Sequence, residues 1–154
     1  MKCFLPDEAA TMLVGAALGR AMTQQHGFIT LAGDLGAGKT TLVRSALRAL
    51  GHAGPVRSPT YTLIETYSLS AGLIHHLDWY RLASDDELDS IGFRDLLAPG
   101  NSVLVEWPER IPIVAARSDL SVALSYEGDG RSLSAAADTV VGADLLRLWM
   151  TEIG

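Results

Sequence analysis

Eight consecutive residues, Gly33-Asp34-Leu35-Gly36-Ala37-Gly38-Lys39-Thr40, carry the clearest chemical signal in the chain. They satisfy G-x-x-x-x-G-K-[ST], the pattern that cradles the phosphates of a nucleotide. A phosphate tail needs several backbone N–H donors converging on one small cup, and side chains would obstruct that approach. Glycines at positions 33, 36 and 38 let the backbone come close. The helix that should follow adds its free N–H groups and the positive end of its dipole. Lys39 supplies a mobile cation for the outer phosphate oxygens, and the Thr40 hydroxyl suits Mg²⁺. A short apolar strand, Phe28 to Ala32, directly precedes the loop, and Lys39 to Leu50 reads as a helix stopped by Gly51. That context separates the motif from a chance glycine-rich turn.

Phosphoryl chemistry also calls for a carboxylate near the metal and a group that orients the attacking water. Two candidates end apolar runs. Asp78 closes Leu73-Ile74-His75-His76-Leu77, and Glu106 closes Val103-Leu104-Val105. Strand carboxyl ends are where open α/β sheets bind ligands, and a carboxylate ending a buried run is costly unless it meets a cation or donors. Taken singly, each could equally be a solvated strand terminus. Between the loop's helix and the next strand, Arg57-Ser58-Pro59-Thr60-Tyr61-Thr62 is rich in hydroxyls and could order around a γ-phosphate. An ordinary Ser-Pro turn accounts for the same residues. His75 and His76 point to opposite faces of a strand, so packing is the favoured role for both. Trp79, Trp107 and Trp149 read as packing groups, with Trp107 near enough to Glu106 to cover a nucleotide. Arg81, Arg110 and Arg131 are possible cationic contacts, and no spacing rule singles one out.

These groups need a scaffold to bring them together. Pro6 and Asp7 open a helix running to about Met22, since proline suits a first turn and acids favour the positive end of the dipole. Tyr61 to Tyr67 and Leu73 to Tyr80 read as strands joined by a turn over Ser68 to Gly72. Ser84-Asp85-Asp86-Glu87 fits a capping box that starts a short helix. Val103 to Trp107 is a strand, Leu120 to Tyr126 and Arg131 to Ala137 form a hairpin around Gly128-Asp129-Gly130, and Ala143 to Met150 is a closing helix. Helices and strands interleave early and strands dominate later. The pattern predicts one α/β domain over residues 1–154. It is a three-layer P-loop NTPase sandwich with a mixed central sheet, parallel near the loop and antiparallel toward the edges.

Composition narrows the partners. With 48% hydrophobic residues the chain can build its own core, and its net charge of −6 argues against tight, autonomous nucleic-acid binding. Were it to act on RNA, a partner should hold the RNA. The single cysteine, Cys3, cannot form an internal disulfide and reads as an incidental thiol near a mobile terminus, which suits a reducing compartment. No apolar run reaches the roughly 20 residues of a membrane span, and Met1 to Pro6 lacks a signal-peptide core. A cytoplasmic location without membrane contact is expected.

Four segments occur in order: Gly33 to Thr41, Ser58-Pro59-Thr60-Tyr61-Thr62, His76-Leu77-Asp78-Trp79-Tyr80-Arg81-Leu82, and Glu106-Trp107-Pro108-Glu109. Together they resemble the TsaE family, the ATPases of bacterial tRNA threonylcarbamoyladenosine biosynthesis, along nearly the whole chain. The resemblance implies ATP and Mg²⁺ as ligands, and slow hydrolysis by the isolated protein. It implies work with the TsaB–TsaD pair, which transfers the threonylcarbamoyl group onto the adenosine next to the anticodon, so that tRNA is met only indirectly. Carried over by residue, Lys39, Thr40 and Thr41 would bind phosphates and Mg²⁺, with Gly33 to Gly38 and Thr60 around the nucleotide. Asp78 would be a carboxylate on the Mg²⁺ side. Glu106 would position or activate water, close enough to the metal to be a candidate ligand. Ser58 to Thr62 would form a switch-like loop, and Trp107 would neighbour the nucleotide. Trp79 departs from the family's usual smaller apolar residue, and the Ala-rich run Leu133 to Ala137 is bland.

Two other readings stay open. A small-molecule kinase would also use a P-loop, though no arginine-rich lid segment is visible. A nucleotide-gated scaffold with incidental hydrolysis would show the same motifs. No Asn-Lys-x-Asp segment is present to read guanine, which favours ATP over GTP.

Overall fold

The apolar run Phe28–Ala32 becomes β2, and it lies at the middle of a seven-stranded sheet. The computed structural model describes residues 1–154. In chain order the elements are β1 (Lys2–Leu5), α1 (Glu8–Met22), β2, α2 (Lys39–Ala49), β3 (Ile64–Leu69), β4 (Gly72–Asp78), α3 (Asp86–Ser90), α4 (Phe93–Leu96) and β5 (Ser102–Glu106). A 3₁₀ turn (Pro108–Arg110), α5 (Pro112–Ala115), β6 (Leu120–Glu127), β7 (Gly130–Ala137) and α6 (Val140–Ile153) complete the chain. The strands stand in the order β1-β7-β6-β2-β5-β4-β3. β2 runs parallel to both neighbours, β5 and β6, and β5 runs parallel to β4. The outer pairs β3–β4, β6–β7 and β1–β7 are antiparallel. This is the mixed sheet expected from the sequence, with its parallel centre at the glycine loop.

The alternation of strand side chains makes two cores. Ile29, Leu31, Ile74 and Leu104 join a buried cluster with α1, α2 and α6 on one face. Phe28, Leu77, Val103 and Val105 face the other way and pack with Trp79, Leu88 and Phe93 under α3 and α4. The result is three layers. α1 can lie close on α2 because Gly15 and Gly19 sit one turn apart on the shared face. A Cβ at Gly19 would come within 2.3 Å of the Ala46 carbonyl oxygen. Trp149 is fully buried and donates its indole N–H to the Val14 carbonyl at 2.9 Å, tying α6 to α1. No helix is long and apolar enough to cross a membrane.

Several boundaries differ from expectation, each for a local reason. Asp7 is the cap of α1 and not part of its first turn, its carboxylate accepting from the Ala10 N–H. β3 begins at Ile64 instead of Tyr61, because Leu63 adopts a left-handed backbone (φ 66°) that breaks the extended run. The strand that follows starts at Gly72 and ends at Asp78, so the hairpin turn is only Ser70-Ala71. Ser84 caps nothing: α3 starts at Asp86, although the Glu87 carboxylate does reach back to the Ala83 N–H at 2.9 Å. α6 extends from Val140 because Thr139 caps it through the Gly142 N–H. The strand expected to end at Trp107 ends at Glu106. Cys3 is not at a loose end, since β1 pairs it with Leu133 on β7. Burial pushes its thiol up from the ordinary value. β1, α4 and α5 were not legible, being four residues each and without a full hydrophobic period.

Candidate active site

β2 hands the chain to α2 through Gly33–Gly38, and this turn forms one wall of a cleft of about 330 Å³. Leu35, Gly36, Gly38, Lys39, Thr40 and Thr41 line it from that side. Ser58, Thr60, Asp78, Tyr80, Glu106 and Trp107 complete the lining. Thus every residue singled out as catalytic or metal-binding from the sequence meets in one cleft. Within the loop the roles divide. Leu35 is exposed, whereas the Ala37 side chain is buried in the core and its N–H is spent on the Asp34 carbonyl at 3.1 Å. Asp34 is exposed, and its carbonyl oxygen accepts from Lys39 Nζ at 3.1 Å. The Gly33 carbonyl accepts from the same Nζ.

Lys39 is only 4% exposed, and its ammonium lies 3.9 Å from the centre of the Trp107 ring. Burial pulls its pKa below the ordinary lysine value, opposed by the nearby charges of Glu106, Glu109, Asp78 and Asp34. Trp107 holds that position with a left-handed backbone, φ 62°. A bulky residue there carries strain of order 1–3 kcal/mol, which neighbouring structure must hold in place. The Leu31 carbonyl, 3.3 Å from the Trp107 N–H, and the tilted ring of Tyr80, 5.0 Å away, supply part of that hold.

The two carboxylates end adjacent parallel strands, with Asp78 and Glu106 in direct register. Both are buried, so neither is the solvated terminus that each could have been alone. Glu106 Oε1 and Oε2 accept from Thr40 Oγ1 at 2.9 and 3.1 Å. Asp78 Oδ2 accepts from Ser58 Oγ and from Thr60 Oγ1, the latter at 3.0 Å, and Oδ1 accepts from the Tyr80 N–H at 2.8 Å. Arg57–Thr62 is therefore more than a plain Ser-Pro turn, because two of its hydroxyls are fastened to a site carboxylate. Tyr61 of that segment is 83% exposed, with Arg81 4.3 Å from the centre of its ring.

The donor set is all oxygen: one hydroxyl and two carboxylates lining the same cleft. A hard cation that keeps several waters and takes the rest of its shell from phosphate oxygens fits such a set. No group of three or more His, Cys, Asp and Glu residues forms a cage able to hold a metal by itself.

Two functional neighbours escaped the sequence. His76, favoured there as a packing residue, is fully buried with Nε2 2.8 Å from Glu106 Oε1. Its position two residues before Asp78 places both on one face of β4, which is a signal available in the spacing. The β6–β7 hairpin braces the glycine loop from outside. The Tyr126 hydroxyl donates to the Leu35 carbonyl at 3.0 Å, and Arg131 lies against Tyr126 and reaches the Gly36 carbonyl at 3.5 Å. Arg131 thus faces the loop backbone, Arg81 lies against Tyr61, and Arg110 lies 5.0 Å from the centre of the Tyr80 ring. His75 bonds Thr66 and Asn101 on the opposite face of the sheet, away from the site.

The family model described as threonylcarbamoyl adenosine biosynthesis protein TsaE matches residues 5–133. The tRNA threonylcarbamoyladenosine biosynthesis protein TsaE of Haemophilus influenzae is 37% identical over 147 residues, covering 93% of either chain. The protein of that name from a Nostoc species is 37% identical over 132 residues, 84% of this chain and 80% of its own. The crystal structure of Bacillus subtilis YdiB superposes on 100% of this chain and 96% of its own with a TM-score of 0.74. At 24% identity that likeness speaks for the fold.

Proposed function

The chain belongs to the TsaE family, and from that premise we propose that it is a Mg²⁺-dependent ATPase serving tRNA threonylcarbamoyladenosine biosynthesis. Its hydrolysis cycle would drive the TsaB–TsaD pair between rounds of modification, those partners holding the tRNA. The observation that carries this reading is the convergence of Lys39, Thr40, Asp78 and Glu106 on the cleft beside the glycine loop.

The chemistry follows from the chain's own groups. The free N–H donors at the start of α2 hold the phosphate tail. Lys39, now tied to two loop carbonyls, exchanges these for outer phosphate oxygens when a nucleotide enters. Its ammonium then offsets the negative charge that grows on the transferred phosphoryl group. Thr40 and Asp78, with Glu106 beside them, would hold the Mg²⁺, which supplies charge neutralisation across the outer phosphates. Glu106 orients the attacking water and accepts its proton. Ser58 and Thr60, fastened to Asp78, couple the state of the cleft to the exposed segment around Tyr61.

The test is phosphate release from Mg-ATP by the purified protein, alone and with the TsaB–TsaD pair. Slow release that rises in the complex and disappears with Lys39→Ala is the expected result. A rate indifferent to the partners would remove the link to that pair, and a rate indifferent to Lys39→Ala would remove the site.

A further inference from the structure

β4 carries its residues alternately to the two faces of the sheet, so His76 shares a face with Asp78 and lies beside Glu106 on β5. Its ring is enclosed on every side, and Glu106 itself is 2% exposed. Nε2 of His76 is 2.8 Å from Glu106 Oε1, the oxygen that Thr40 also approaches at 2.9 Å. An ionised carboxylate only accepts, so Nε2 carries the hydrogen and donates. Nδ1 has no partner in the protein interior. With the hydrogen on Nε2, what goes unmatched at Nδ1 is a lone pair. With it on Nδ1, a buried donor would be orphaned and Glu106 would also lose its bond.

A residue selected only to fill this space would be apolar. Leucine would leave no unmatched ring nitrogen, yet it would leave a buried carboxylate short of a donor, the costlier outcome. The imidazole is therefore explained by Glu106. The two carboxylate oxygens are unequal: Oε1 has two donors, His76 and Thr40, while Oε2 has Thr40 alone at 3.1 Å.

We propose that His76 is a positioning residue for Glu106: it holds Oε1 and so leaves Oε2 as the oxygen available to the phosphate cleft. The inference rests on the ATPase reading for its consequence, and on hydrogen bonding alone for its geometry. A residue that fixes a functional carboxylate from behind sets its rotamer without touching substrate, and losing such a partner costs about 10- to 100-fold in activity.

The experiment uses the full chain with His76→Leu and His76→Gln. His76→Leu should lower kcat for phosphate release by about 10- to 100-fold while the KM for ATP stays within about threefold. His76→Gln, whose side-chain amide can still donate to Oε1, should recover most of the loss. Separately, two-bond ¹H–¹⁵N spectra of the protein without nucleotide should show the hydrogen of His76 on Nε2, with its signal displaced by Glu106→Ala. An Nδ1–H tautomer, a signal blind to Glu106→Ala, equal losses in the leucine and glutamine variants, or an unchanged kcat in His76→Leu would each overturn the proposal. A wild-type protein with no Lys39-dependent phosphate release would sink the ATPase reading instead, and the spectra would still decide whether His76 holds Glu106.

Discussion

The cleft has two walls of opposite construction. One is the glycine loop with α2 and Glu106. It is carried by Leu31, Leu42, Val43, Leu47 and Leu104, which belong to a cluster of 23 buried residues. The other is the stretch from Pro55 to Leu63, which has no helix or strand and buries only Val56 and Pro59. Its grip on the site is the Ser58 and Thr60 hydroxyls on Asp78, with Arg44 Nε on the Val56 carbonyl at 3.2 Å as a further tether. A wall built on a core keeps its geometry whether or not the cleft is filled. A wall held by a few hydrogen bonds lies at the low-stability end of the fold and can respond to a ligand. On the proposed ATPase reading the contrast would separate chemistry from sensing: the first wall would position reacting groups, and the second would report that they are engaged.

Substitutions can break that contrast from either side. The largest effect is expected from Glu106→Ala on the firm wall. Hydrolysis should fall on the order of 10²-fold or more, as for loss of a general base, while ATP binding persists. Equal losses in binding and turnover would remove the assigned role. Next comes Gly19→Val, behind the same wall. The nearest neighbour of any added Cβ is backbone, so α1 and α2 must part, at about 1–3 kcal/mol in thermal or urea unfolding. An unchanged stability would show that the helix pair can slide apart freely.

On the looser wall, the double variant Ser58→Ala/Thr60→Ala removes both hydroxyl donors to Asp78 Oδ2 and should lower turnover on the order of tenfold or more, with a modest drop in Tm. A drop in Tm with no change in rate would mean that the segment is structural.

The smallest effect concerns His75 in the edge hairpin that follows this segment. Burial lowers its pKa from the ordinary 6.5, so the unfolded chain takes up the proton first as pH falls. Stability from neutral His75 is present above that ordinary value and is lost as pH drops below it toward the folded value. Tm should fall as pH drops through the ordinary value of 6.5, and His75→Gln should flatten the fall. An identical slope in the variant would assign the acid sensitivity to other groups.

Legibility in the sequence followed the same division. The glycine loop and α2 of the firm wall were readable because each of their requirements is local. The glycines at 33, 36 and 38, the lysine and threonine after them, an apolar strand before and a periodic helix behind all lie within a short stretch. The looser wall was readable in composition only. Its hydroxyls were visible, but the left-handed Leu63 that ends it, and therefore the true start of β3, was not. Leucine gives no local sign of that conformation, since nothing in its side chain favours φ above zero.

By itself the sequence determined the α/β class, the glycine-rich loop between strand and helix, and the two strand-end carboxylates, because periodicity and spacing are properties of neighbours along the chain. Only the tertiary structure decided that Asp78 and Glu106 are in register. It alone brought Thr40 to Glu106, Ser58 and Thr60 to Asp78, and the buried His76 to the back of Glu106. The reason is physical. A hydrogen bond joins atoms about 3 Å apart whatever their separation in sequence, and which strands lie side by side is settled by how the whole sheet buries its two faces.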